Sequence, residues 1–399
     1  MPRKDMSVIA AVVLVFATPA CQSAAPEPES TSVSAATRRP SEVPTSIRYP
    51  TNTPEPSETP RPSNTPSPTG TIVSTSTPAA EELETQVPDA SYPLQLGGHT
   101  LDQSLPYADL MHYAGMNWVK QPISYPNDAS GITSASHDEG FRIQLTARGP
   151  AEMIVQDGFE ADFADWVAGL VATGADAVEV WNEPNIERNW APGHISPTLY
   201  TELLCAAYEA IKTENRDALV ISGAPAPAGV FGGCAPDGCD DVPWLEGLYA
   251  AGASDCLDYI GAHHISGATS PSSRTGHPAD AAGRHHSFYF LWQTEKYYDA
   301  FEGAAKLFYT SLGYASQEGV ASFPSSFSWA AGTTDAQQAA WLKEAAQLSV
   351  DTGMVDYIMV WNIDFQRYGD LDARDGYAII RPDGSCPVCE SLHDLLGSR

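Results

Sequence analysis

The sequence predicts an α/β fold, a (β/α)8 TIM barrel, over residues 90–399. Three observations carry that expectation. Eight short apolar segments recur beyond residue 90, amphipathic stretches separate several of them, and chemistry-bearing side chains gather where the apolar segments end. An open, doubly wound sheet is the alternative. It is weakened because no Gly-rich turn follows the first strands, where a nucleotide-binding version would often have one.

The strand candidates are, in order, PLQLG (93–97), MNWVKQ (116–121), FRIQLT (141–146), AVEVW (177–181), ALVISG (218–223), DYIGAH (258–263), KLFYT (306–310) and YIMVWN (357–362). Each is largely apolar instead of strictly alternating, as suits parallel strands buried on both faces. Between them, Phe159, Phe163, Trp166, Val167 and Leu170 form a helical stripe, and Pro197 opens a second helix running to Ile211. A third begins near Asp335 and stops at Gly353.

Ahead of the barrel, Arg3 and Lys4 followed by the apolar run 8–20 read as an export signal over residues 1–21, too short to span a bilayer as a mature helix. Two readings stand for Cys21: lipid attachment after cleavage, giving a membrane anchor, or simple secretion. Residues 22–89 are Ser/Thr/Pro-rich and read as a disordered tether holding the domain at the cell surface. Of the remaining cysteines, Cys234 with Cys239 and Cys386 with Cys389 read as local staples, with zinc as the rival; Cys205 and Cys256 pair or remain buried thiols.

A net charge of −29 argues against nucleic acid and anionic lipid as ligands, and leaves a neutral oligosaccharide or polysaccharide unpenalised. No cofactor and no metal is expected.

In AVEVWNEPN, Glu183 stands at the top of the fourth strand, where a carboxyl group can protonate a leaving oxygen and then take a proton from water. That work needs a pKa raised towards neutrality. The alternative is a loop carboxylate paired with Arg188. Glu179 lies deeper, on the side of Trp181 and Glu183 if alternation persists, and reads as structural with a polar partner. Lys120, His263, Ser311 and Trp361 also fall at strand ends, and Trp190 and Trp361 are the indoles expected to stack on sugar.

These motifs together resemble the clan-A glycoside hydrolases, the cellulase and β-xylosidase-like superfamily of retaining (β/α)8 enzymes, over roughly residues 92–396. The resemblance rests on GMNWVKQPI, VEVWNEPNIERNW, AYEAIKTENRDALVISGAPAPAG, DYIGAHH and MVWNIDF. It implies Glu183 as acid/base, Asn182 as the residue binding the neighbouring sugar hydroxyl, His263 as the strand-six histidine and Trp361 as the aromatic beneath a sugar ring. Two departures follow. Where such enzymes usually carry Thr-Glu as the nucleophile motif, this chain has Thr310-Ser311-Leu312-Gly313-Tyr314, and Ile265 replaces the usual tyrosine after the histidine.

A retaining glycosidase needs two carboxyl groups about 5 Å apart. Serine supplies no charge and needs a base, for which His263 and His264 are the candidates, yet no G-x-S-x-G elbow supports an esterase. Asp364 can act as a base in an inverting arrangement or cap a loop, and Glu295 reads as a helical decoy. Three readings remain open: weakened glycosidase, silent glycan-binding barrel, and a remainder covering structural roles, an engineered substitution or unrelated chemistry.

Overall fold

The computed structural model describes residues 93–280, 285–320, 323–365 and 372–397. The expected export segment, Cys21 and the tether lie outside the described residues. Barrel strands β1 (Gln95–His99), β2 (Met116–Ser124), β3 (Arg142–Arg148), β4 (Ala177–Val180) and β5 (Leu219–Ser222) are followed by a small antiparallel hairpin, β6 (Cys234–Ala235) and β7 (Gly238–Cys239). Strands β8 (Tyr259–Gly267), β9 (Lys306–Tyr314) and β10 (Val355–Val360) complete a closed parallel barrel in which β10 returns to pair with β1.

Around it lie α1 (Ala108–Tyr113), α2 (Ser130–Asp138), α3 (Phe159–Ala172), α4 (Pro197–Glu214), α5 (Asp241–Ala250), α6 (Phe290–Ala300), α7 (Asp335–Thr352), α8 (Arg374–Tyr377) and α9 (Pro387–Gly397). Local chemistry sets their ends. The Ser196 hydroxyl accepts from Leu199 N–H ahead of Pro197, Thr334 and Gln337 form a reciprocal capping box, and Gly353 closes α7 with φ of 66°. Three disulfides close the scaffold: Cys205–Cys256, Cys234–Cys239 and Cys386–Cys389.

All eight strand candidates enter the barrel, but β8 and β9 run four residues beyond their expected ends. Ser311 therefore stands inside β9 and does not follow it.

The barrel interior is built in two tiers by the period-two alternation of strands. Trp118, Ala177, Ile221, Phe308 and Met359 form a separate apolar floor. Two residues further along β2, β4 and β9 stand Lys120, Glu179 and Thr310, and the interior turns polar. The larger core lies outside the strands, where Phe163, Val167, Leu170, Tyr200 and Leu204 of the helices pack on Val178, Val180 and Val220.

Strand β9 departs from regular pairing at this tier. Tyr309 pairs with Ala262 and Ile358, but the next partners are Ser311 with His263 and Leu312 with Val360. Against both neighbours β9 carries one extra residue, a bulge at Thr310–Ser311. Both side chains consequently reach the same buried polar cluster: Thr310 donates to Glu179 and Ser311 accepts from Lys120.

Close packing between strands also fixes Gly261 of β8, where an added Cβ would stand 2.0 Å from the Ser222 carbonyl oxygen and 2.8 Å from Ala224 N. Gly261→Ala should lose about 1–3 kcal/mol, the usual penalty of overpacking, in urea unfolding followed by circular dichroism. A loss within error of zero would show that β5 and β8 can separate freely.

Candidate functional site

The deepest polar feature is the ion pair between Lys120 of β2 and Glu179 of β4, at 3.3 Å and with essentially no solvent exposure. Glu179 also accepts from Thr146 Oγ1 (2.6 Å), Thr310 Oγ1 (2.7 Å) and Ala224 N (3.2 Å). Burial pushes its pKa up, but Lys120, His263 and the two threonine hydroxyls outweigh burial and hold it below the usual carboxylate range. Burial lowers Lys120, partly offset by Glu179. The Lys120 ammonium directs its donors at Glu179, the Thr310 carbonyl (2.7 Å) and Ser311 Oγ (3.3 Å). Such a lysine holds Ser311 as an acceptor and is no base for it.

Glu183 lies above this pair. Trp181 and Glu183 both have positive φ, 75° and 48°, unusual for residues carrying a Cβ. The turn at Trp181 breaks the alternation expected from Glu179 onwards. Its indole leaves the barrel interior, packs against Phe163 and Trp190, and donates Nε1–H to the Asn189 carbonyl at 2.6 Å. Glu183 Oε1 faces His263 Nδ1 at 3.3 Å, while Oε2 accepts from Arg188 (2.8 Å) and Asn189 (3.0 Å). Across the His263 ring, Nε2 is 3.9 Å from Glu179 Oε1. One polar chain therefore runs from Ser311 through Lys120, Glu179 and His263 to Glu183.

The state of Glu183 differs from what an acid requires. Burial raises its pKa, but hydrogen bonding and charge from His263 and the Arg188 guanidinium reverse the shift and leave it below the ordinary range. The sequence alternative of a pairing with Arg188 describes its contact.

Two other residues sit differently from their sequence expectation. Trp190, expected to offer its face to a sugar, is fully buried; it packs edge-on to Trp181 and Tyr200 and donates to the His194 carbonyl. His264 turns onto α6, bonding Gln293 at 2.7 Å, and burial lowers its pKa to about 4, so it is not a base aimed at Ser311. Asp364 accepts from Leu101 N (2.6 Å) and Asp102 N (3.4 Å), the contacts of a cap on the loop after β1, and burial raises its pKa. Glu295 lies on α6, paired with Arg274.

Trp361 remains 8% exposed beside His99 and Phe365, with ring centroids 4.8 and 4.9 Å away, so one indole does stand near the opening. Asn182 lines a cavity of about 260 Å³ with Tyr125, Arg148, Trp181, Arg188 and Asn189. Sequence reasoning missed His99, which ends β1 two residues past the expected end of that strand. It also missed Thr146, the last residue of the third strand candidate, and Asn189, in the loop that follows Glu183.

No protein-family model matches the chain, and no curated protein matches it. Solved structures do. A family 39 glycoside hydrolase from the gut symbiont Bacteroides cellulosilyticus WH2 aligns at TM-score 0.54 and 19% identity over 76% of this chain, which spans 63% of that protein. A glucosidase from Croceicoccus marinus aligns at 0.51 and 16%, covering 76% of this chain and 68% of the other. The endo-1,4-beta-mannanase of Rhizomucor miehei aligns at 0.52 and 11%, covering 78% and 97%. At these identities the fold is what is shared: a closed eight-stranded parallel barrel.

Two outcomes follow from the charges. Lys120→Met leaves Glu179 buried without its cation and should cost about 3–5 kcal/mol in denaturant unfolding; a cost near zero would mean the pair is not formed. In Arg188→Met, burial is opposed by His263 and the Asn189 amide without the guanidinium, so the Glu183 carboxyl should titrate at higher pH. Carbon-13 NMR, assigned with Glu183→Gln, reads this, and an unmoved titration would refute the role given to Arg188.

Proposed function

We propose that the protein is an exported glycan-active barrel that engages an oligosaccharide or polysaccharide at its open mouth, with Glu183 in the acid/base position and Ser311 where a second carboxylate would be needed. The observation carrying this reading is the polar chain joining Glu183 to Ser311 across strands β4, β8, β9 and β2. Glu183 and Ser311 each keep a small exposed surface, 8% and 7%, above a fully buried Lys120–Glu179 pair. Reactive groups that touch solvent, resting on charged groups that do not, suit a site open to ligand on one side.

On this reading a sugar ring lies beside Trp361, with Asn182 and His263 near its hydroxyls. Glu183 would hand a proton to the leaving oxygen while an anion attacks the opposite face of the anomeric carbon. Ser311 provides no such anion, and its hydroxyl already accepts from Lys120. Glu183 is also held as a carboxylate by Arg188, whose side chain is one-third exposed. A ligand must loosen that contact before Glu183 can carry a proton. Both features favour binding over turnover, and hydrolysis by the chain alone is expected to be slight. We extend the proposal to localisation: residues 22–89 would hold the barrel off the cell surface, with Cys21 as the point of lipid attachment.

Activated aryl glycosides, assayed with and without azide or formate, test this. Turnover should rise with added anion, because a small anion can fill the space of the absent carboxylate beside the Lys120 ammonium. Ser311→Glu should raise turnover without added anion, and Glu183→Gln should reduce the anion-dependent rate about 10²–10⁴-fold, as expected for loss of a general acid. Anion-independent hydrolysis unchanged in Glu183→Gln would overturn the assignment. Absence of both glycan binding and turnover would overturn the glycan reading itself.

A further inference from the structure

A second group of chemistry-bearing side chains lies apart from the Glu183–Ser311 chain, in the loops after β5 and β8. Asp241 opens α5 with its carboxylate almost wholly buried. His286, in the turn before α6, faces it with Nε2 2.9 Å from Asp241 Oδ2, and Tyr297 of α6 donates to the same oxygen at 2.7 Å. The ring of His285 lies 4.1 Å from that of His286, centroid to centroid. One coordinating atom from each of Asp241, His285 and His286 lies within 4.8 Å of the others.

We propose that Asp241, His285 and His286 form a binding site for a divalent transition-metal ion, of the nitrogen- and oxygen-preferring class to which zinc belongs. Two imidazoles and one carboxylate are a donor set such ions take, leaving a fourth position for water. Metal–ligand bonds of about 2.0–2.1 Å place tetrahedral ligands about 3.3 Å apart.

Three further features fit. His285 Nδ1 lies 2.7 Å from Ser287 Oγ and 3.4 Å from Ser287 N–H; coordination through Nε2 takes the tautomer in which Nδ1–H donates to that hydroxyl. A Cβ at Gly229 would stand 2.3 Å from that Nε2, so the glycine leaves the ring its room. Tyr297 and the Val242 N–H hold the Asp241 carboxylate from outside, the role of a partner that orients a metal ligand. The protein's charge of −29 also raises the local concentration of cations. Bound metal would tie the loop after β5 to the loop after β8, whereas sequence reading anticipated no metal.

The test uses the exported chain, stripped with a chelator and titrated with zinc chloride by isothermal calorimetry. We expect one equivalent bound, with His285→Ala and His286→Ala each weakening binding about 100-fold or more, and exposed His194→Ala leaving it unchanged. Cobalt(II) added to the stripped wild-type protein should give the ligand-field bands of a tetrahedral nitrogen–oxygen site, a readout that does not depend on a variant folding. Absence of bound zinc, binding indifferent to both histidine substitutions, or a cobalt spectrum of the aquated ion would each overturn the proposal. Since glycan binding is read separately, either result leaves the reading of the Glu183–Ser311 site standing or falling by its own assay.

Discussion

The pairing of Lys120 with Glu179 is the constraint around which the upper barrel is arranged. A carboxylate and an ammonium removed from water are each costly, and attraction compensates only when the remaining donors and acceptors are also satisfied. Thr146, Thr310, the Thr310 carbonyl, Ser311 and Ala224 N–H do this, drawn from β3, β9 and the loop after β5. Strands that are distant in sequence are thus held in one relative position by polar geometry, above a floor held by packing. The polar tier cannot slide without leaving a charge unsatisfied.

Much of the barrel was legible because its signals are local. Eight apolar segments became eight strands, and Pro197, Asp335 and Gly353 marked helix ends through propensities that need no tertiary context. The depth assigned to Glu179, and its need for a polar partner, followed from the period of a strand. What stayed hidden depends on non-local pairing. Nothing in KLFYTSLGY announces that β9 gains a residue against both neighbours. The positive φ of Trp181 likewise sends an indole outward that alternation would have sent inward. Trp190 misled for a related reason, since a tryptophan in a strand-end loop has the same letter whether it covers a ligand or closes the core.

The electrostatics of the mouth explain why a familiar motif need not behave in a familiar way. Glu183 has the burial that would raise an acid's pKa, yet Arg188, five residues along the same loop, and His263 from β8 hold it ionised. Arg188 comes from the loop after β4, whereas His263 is the ladder partner of Ser311. With a hydroxyl at Ser311, Glu179 is the carboxylate that Lys120 contacts directly among the described residues.

The extra residue in β9 makes this region sensitive to chain length in a way that side-chain chemistry does not capture. Removing a single residue between Tyr309 and Leu312 would take out that local bulge, leave β9 one residue short of its neighbours elsewhere along the strand, and turn one hydroxyl away from the ammonium it serves. Attempts to diversify the segment by recombination or by grafting a homologous strand should accordingly preserve its residue count before its composition.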